Sequence, residues 1–332
     1  MILGDGVMAK RIVFTAKQQL KVEEFASKVS LDAGEVRVRG ICSIISTGTE
    51  NIILNHLFDE GTHWDHYIKF PFCPGYSFVG EVTQCAPGVQ RLKVGDRIVA
   101  RSSHATEHVL SETQCHVVPP TVSSEDAAWF GLAKISFSGA RAAKYVLGGR
   151  VLIIGGGPIG QLSARWALAA GAGKVVMVEP QNARLTLAKR AGVHVGINTN
   201  LLEGRSQIMD AFGGESPEYV MDTTGAAPVF SQALEICGQF GTVILLGDTG
   251  TPSRQCLNSS LLMKGLHIVG AHDIHLTEAD ALKVFWPLLI DGRFNLEGMV
   301  THRFTIDQAS EAYALANERR GETMGLLFDL KN

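Results

Sequence analysis

The chemistry most legible in this chain lies in the run Gly155-Gly156-Gly157-Pro158-Ile159-Gly160, where three glycines stand in G-x-G-x-x-G register. Spacing alone is common by chance, so its meaning depends on what flanks it. The apolar run Val151–Ile154 leads into it, and a helical stretch opens at Pro158 and Ile159 and stops at Gly171. A strand, a glycine turn and a helix N-terminus form a cradle for a pyrophosphate, because the first helical N–H groups lack intrahelical partners and the helix dipole presents its positive end. In that cradle Gly155 permits the tight turn, Gly157 lets the backbone approach the phosphates, and Gly160 allows close packing. Pro158 suits the first helical position because it has no N–H to leave unpaired.

Glu179 ends the next apolar run, nineteen residues after Gly160. An acid at that place accepts hydrogen bonds from adenosine ribose hydroxyls and repels a 2′-phosphate, which favours NAD over NADP. Arg184, a few residues on, is able to turn to a phosphate and keeps NADP open. Two later strand ends, Thr223-Thr224-Gly225 and Gly247-Asp248-Thr249, lie where ligands of such sheets bind, and their small residues would admit a nicotinamide ribose; each also reads as an ordinary turn.

Positioning these groups requires a particular scaffold. Six strand-like runs alternate with helical ones: 151–154, 175–178, 194–197, 219–221, 243–246 and 267–269. Such alternation predicts an α/β fold with a doubly wound parallel six-stranded sheet, a Rossmann domain over residues 123–272. Ser123, three residues ahead of Asp126, is a helix-capping signal at its start. Before it, short β-like runs at 35–42, 78–82 and 97–100 separated by turn residues predict a compact β-rich domain. Beyond 272 the alternation ceases, and a helix ending near Asp291, a helical stretch at 307–317 and an apolar run at 325–330 are expected to return to it. The catalytic or substrate domain is then discontinuous, over 1–122 and 273–332.

A net charge of −3 and a pI near 6.4 give no electrostatic reason to expect nucleic acid or an anionic membrane as partner. No apolar run is long enough to span a bilayer, and the start lacks a secretory pattern, so a cytoplasmic protein with a small-molecule substrate is expected. The six cysteines are widely spaced with no C-x-x-C pair, which predicts free thiols and no zinc ribbon.

The order of parts resembles the medium-chain dehydrogenase/reductase superfamily, in which a GroES-like β domain precedes the dinucleotide domain. The likeness rests on Gly75–Val82 (GYSFVGEV), Val94–Val99 (VGDRIV), His104–Leu110, the glycine turn and Lys264–Gly270 (KGLHIVG). Ile45–Glu50 (ISTGTE) followed by Pro74-Gly75-Tyr76 is most similar to the group that includes bacteriochlorophyllide a dehydrogenase. The resemblance implies an NAD(P)-dependent alcohol dehydrogenase-like oxidoreductase. Zinc-dependent members carry a Cys-Gly-Thr-Asp-like segment, a Gly-His-Glu segment and a third ligand near the domain junction. Here the places read Ser46-Thr47-Gly48-Thr49-Glu50, Gly75-Tyr76-Ser77 and Lys134, which implies a member without catalytic zinc. Against this, Gly40-Ile41-Cys42 also resembles the cysteine segment, and His63, His66 and Cys73 follow it; the plainer reading is a core thiol and solvated imidazoles.

Without zinc, another group must polarise the reacting oxygen. The candidates are Tyr76 and Lys134 together, with Ser46, Thr47 and Thr49; a buried Lys acts as acid or base, and a Tyr beside it would be tuned downward. Tyr76 as a packing residue and Lys134 as a helix cap or phosphate contact are equally open. Residues 58–69, rich in aromatic and charged groups, either wall a pocket for a ring-bearing or polyhydroxylated substrate or form a surface loop. The reaction expected is hydride transfer between nicotinamide and a secondary alcohol/ketone pair. The alternatives are a quinone or enone reductase, a zinc-dependent alcohol or polyol dehydrogenase, and a non-catalytic dinucleotide sensor. The apolar edge run 266–269 further suggests a homodimer.

Overall fold

The computed structural model describes residues 8–248, 250–273 and 276–331, and the chain divides into two compact units. One comprises 1–57, 63–131 and 300–332; the other comprises 58–62 and 132–299.

The first unit is β-rich. Its seven-stranded sheet runs in the order Val300–Thr305, Gly325–Asp329, Glu35–Ile44, Phe78–Cys85, Arg97–Ala100 and His116–Val117, with Glu107–Ser111 pairing Glu35–Ile44 as well. A hairpin of Met8–Ala16 and Gln19–Ala26 stands apart from that sheet. The returning C-terminal strand pairs antiparallel to the end of Glu35–Ile44, Leu327 opposite Ile44 and Asp329 opposite Cys42. Phe14, Phe78, Ile98 and Phe328 are wholly buried, which is the hydrophobic gain that closes this unit.

The second unit holds a six-stranded parallel sheet in the order Val195–Ile197, Lys174–Val178, Arg150–Ile154, Tyr219–Asp222, Thr242–Leu245 and His267–Gly270. Numbered along this unit the order is 3-2-1-4-5-6, the doubly wound arrangement whose strand order reverses beside the first strand. Helices cover both faces, so the strands are near-continuous apolar runs instead of alternating ones. Leu152 and Ile154 face one core with Val176 and Val220, whereas Val151 and Ile153 face the other with Val175 and Met221. The period-2 alternation of side chains across a strand makes that division.

The boundaries differ from the sequence reading at both junctions. The first falls at Gly131 and not at 122, because the short helix Ser124–Ala127 is tied to the β unit: Cys42 Sγ donates to the Ser124 carbonyl, and Arg303 pairs bidentately with Glu125 at 2.7 Å. Ser123 caps that helix as expected, and a second helix starts at Phe130 and runs to Ala143. The return begins at Val300 and not at 273. Helix Glu278–Ile290 stays with the parallel sheet because Phe285 and Phe294 pack with Trp166. All six cysteines are free thiols, and among the described residues no helix is long and apolar enough to cross a membrane.

Candidate functional site

The glycine turn follows strand Arg150–Ile154 and opens helix Pro158–Ala169, with Pro158 in its first turn and Ile159 packed toward one core. Gly155 has φ +90°, a conformation that L side chains rarely adopt. A Cβ on Gly160 would lie 1.9 Å from the Gly155 carbonyl oxygen, so only glycine lets the helix close on the turn. A Cβ on Gly157 would meet nothing nearer than Arg184 Nη1 at 3.9 Å. The protein therefore fills two faces of the turn and leaves the third open, as a cradle for an anion requires.

Glu179 closes the cradle from the neighbouring strand end. Its carboxylate is almost wholly buried and accepts the Gly156 N–H at 2.7 Å and the Gln181 N–H at 2.9 Å, with Arg184 Nη1 at 3.5 Å. Arg184, the residue that keeps a 2′-phosphate in question, thus stands beside the acid, on helix Asn182–Arg190. Thr223 donates to the carbonyls of Ile154 and Gly155 at 2.8 and 3.2 Å, which braces the turn from the adjacent strand. Thr224 donates to Asp222 Oδ1 at 2.7 Å. Gly247 is required by a close approach, since a Cβ there would lie 2.3 Å from Gly225 N. Asp248 accepts the Gly250 N–H at 3.1 Å. Thr249 lies outside the described residues.

In the β unit, Tyr76 donates its hydroxyl proton to Ser46 Oγ at 2.7 Å and also bonds Thr49, and Thr47 is buried next in the chain. Arg101 stands over the Tyr76 ring, 4.9 Å from its centroid. Burial pushes the phenol up to about 12, outweighing the Ser46 hydrogen bond and the Arg101 charge. The expected downward tuning is therefore reversed: the ring is a neutral donor across the physiological range. Beneath it, Glu50 is buried and accepts the Ser46 N–H at 2.8 Å, the Tyr313 hydroxyl, and a bond with His104 Nε2 at 3.1 Å. His104 Nδ1 meets Ser43 Oγ at 2.6 Å.

Lys134 is held by a hydrogen bond and two ion pairs. It lies in the other unit, buried, with Nζ on the Asp273 carbonyl at 2.6 Å, Asp273 Oδ1 at 3.0 Å and Glu278 Oε1 at 3.3 Å. Its ammonium is flanked by Asp273 and Glu278, which lie 139 and 144 residues further along the chain. Within the described residues of either unit, no three His, Cys, Asp or Glu side chains converge as metal ligands. Cys42 is buried with its thiol pushed up to about 12 by desolvation. In residues 58–69, Trp64 is buried on the short helix His63–Tyr67 while Tyr67 is exposed.

The reading from sequence passed over three groups near these sites. Arg101 leaves no local pattern, and Glu50 and His104, though within the segments that carry the resemblance, pair across 54 residues where no local pattern links them. Gln161 and Arg165 do leave a signal, being strongly polar residues in a largely apolar helix most of whose positions are buried.

Comparisons with known proteins bear on both units. Residues 32–153 match the family described as "Alcohol dehydrogenase GroES-like domain", and residues 158–284 match "Zinc-binding dehydrogenase". L-threonine 3-dehydrogenase of Pyrococcus abyssi is 29% identical over 332 residues, covering 90% of this chain and 92% of that protein. Sorbitol dehydrogenase of Rattus norvegicus is 24% identical over 308 residues, covering 80% and 82%. Among solved structures, a short chain alcohol dehydrogenase from E. coli CFT073, complexed with cofactor NADH, superposes with a TM-score of 0.82 at 19% identity, covering 97% of this chain and 99% of that one. The β-rich unit, the 3-2-1-4-5-6 sheet, the glycine turn and two family matches in series lead to one conclusion: the chain belongs to the zinc-type alcohol dehydrogenase-like medium-chain dehydrogenase/reductase superfamily.

Proposed function

We propose that this chain is an NAD-dependent oxidoreductase that interconverts a secondary alcohol and a ketone without catalytic zinc. The observation that carries the reading is the glycine cradle with Glu179 seated on its Gly156 N–H. The residues fit a dinucleotide: Gly155, Gly156, Gly157 and the first turn at Pro158, Ile159 and Gly160 would take the pyrophosphate, and Glu179 the adenosine ribose. Bound nicotinamide supplies or accepts the hydride. The protein's own task is to hold the substrate and manage one proton, and Tyr76, kept protonated and oriented by Ser46, is suited to donate a hydrogen bond to a carbonyl oxygen. Arg101 over its ring would favour any phenolate character that develops.

The residues at the zinc-ligand places do not fit that metal. They offer hydroxyls of Ser46 and Thr47, a phenol that stays protonated and a Lys already in two ion pairs, where zinc takes thiolate, imidazole or carboxylate. The family description names zinc, and metal analysis of the purified protein decides between the two. We expect well under 0.1 equivalent of zinc and turnover that survives a chelator. Near-stoichiometric zinc lost together with activity would overturn the zinc-free reading.

Relatives acting on threonine and sorbitol favour a secondary hydroxyl as the reacting group. A panel of secondary alcohols and polyols assayed with NAD, with enones and quinones assayed with NADH and NADPH, tests this. Turnover confined to enones would transfer the chain to the reductase alternative, and tight NADH binding with no turnover to the sensor alternative. The edge strand His267–Gly270, together with exposed Leu262 and Met263, supports a homodimer. Light scattering showing only a 35.7 kDa species would exclude it.

A further inference from the structure

Helix Pro158–Ala169 buries two strongly polar side chains one turn apart, Gln161 and Arg165. Spacing of four residues places them on one helix face. Gln161 Nε2 donates to the Gly156 carbonyl at 3.1 Å and to the Arg184 carbonyl at 2.7 Å. Its Oε1 accepts from Arg165 Nη1 at 3.1 Å, and the same Nη1 donates to the Gln161 carbonyl at 2.9 Å. Arg165 Nε donates to the Asn295 carbonyl.

Arg165 is unusual in what it lacks. Among the described residues no carboxylate faces it, and burial alone pushes its guanidinium down to about 10. A buried cation held only by carbonyl and amide oxygens costs several kcal/mol in desolvation, so as a space-filler it is inferior to Leu or Met. What it does accomplish is geometric. A guanidinium only donates, so the side of the Gln161 amide that meets it must be the oxygen. The NH₂ is thereby directed at the two backbone carbonyls; the reversed amide would set its oxygen against both of them.

We propose that Gln161 and Arg165 are positioning residues for the dinucleotide site, Arg165 fixing the sense of the Gln161 amide and the amide pinning the glycine turn at Gly156 to the helix that carries Arg184. The inference rests on the reading of the glycine turn as the cofactor site. Its consequence is that cofactor affinity depends on two side chains that touch no cofactor, and that they act as one unit.

The test is a double-mutant cycle on the full chain with Gln161→Met, Arg165→Met and both together. Dissociation constants for NADH are read by fluorescence titration, and the melting temperature of the free protein is read alongside. Each single variant should weaken NADH binding about tenfold, a loss of roughly 1.4 kcal/mol, and the double variant should be no worse than the weaker single. With saturating NADH, kcat should remain within about twofold of wild type, because the loss is in binding. Gln161→Glu is the second probe: its carboxylate keeps a partner for Arg165 yet donates to neither carbonyl, so NADH affinity should fall about tenfold or more while the melting temperature drops less than for Gln161→Met. Singles that bind NADH as wild type does, or losses that add fully in the double variant, would overturn the proposal. Wild-type protein that binds neither NADH nor NADPH would instead sink the cofactor reading itself.

Discussion

Replacing Glu179 by Gln removes one negative charge at constant shape, and the structure says what that should do. One carboxylate oxygen accepts the Gly156 N–H at 2.7 Å and faces Arg184; the other accepts the Gln181 N–H at 2.9 Å. An amide keeps one acceptor and turns the other into a donor, so one of the two N–H groups meets an NH₂. An unsatisfied buried donor costs about 1–3 kcal/mol. Loss of the charge opposite Arg184, whose side chain and that of Glu179 are 19% and 4% exposed, adds about 1 kcal/mol after allowance for solvent screening. The sum, about 2–4 kcal/mol, corresponds to a fall of about 4–15 °C in the melting temperature of a unit this size. Cofactor choice should move as well, because Arg184 is released from its acid while the group that repels a 2′-phosphate is gone. The ratio of NADH to NADPH affinity should shift toward NADPH by about tenfold or more, the scale of one charge-assisted hydrogen bond. Thermal melts of the free protein and parallel titrations with both nucleotides measure the two effects. A melting temperature within 1 °C of wild type would refute the bonding ascribed to Glu179, and an unchanged affinity ratio would refute its part in cofactor choice.

Three further outcomes are expected. Tyr76→Phe should cost about 1 kcal/mol of stability through the lost Ser46 bond and lower kcat by about 10²–10⁴-fold, with NADH affinity intact; steady-state kinetics showing full activity would remove the phenol from proton management. Lys134→Met should lower stability by about 3 kcal/mol, because Asp273 and Glu278 lose the cation between them, while turnover of the folded fraction changes little; a kcat loss as large as that for Tyr76→Phe would restore Lys134 to the chemistry. Burial raises Tyr76 to about 12, and in the unfolded chain the phenol returns to about 10, so its contribution is complete below pH 10 and is lost as pH rises through 12. Urea unfolding across that window should show a shallower decline for Tyr76→Phe than for wild type.

The parallel sheet and the strand–glycine turn–helix junction were legible because each rests on short-range information. Apolar runs such as 151–154 and 175–178 announce buried strands, and the order strand, G-x-G-x-x-G, helix, acid is read within about thirty residues. The hairpin Met8–Ala16 with Gln19–Ala26 and the strand Val300–Thr305 escaped notice because their polar–apolar mixture gives no clear period; their strands form by pairing partners that only the fold supplies. The second unit's boundary at Met299 is of the same kind, drawn by Phe285 and Phe294 closing on Trp166 from more than a hundred residues away.

The residues' identities alone predicted a parallel α/β sheet with a G-x-G-x-x-G turn between strand and helix and an acid at the end of the next strand. Tertiary structure decided what each polar group does there. Lys134 meets Asp273 across 139 residues of chain and is spent on an ion pair, Tyr76 meets Ser46 and rises with burial, and Arg165 is left to steer an amide instead of a charge. The reason is physical: a backbone turn is specified by the conformational limits of its own residues, whereas the protonation and bonding of a side chain depend on neighbours and solvent exposure that exist only once the chain has closed on itself.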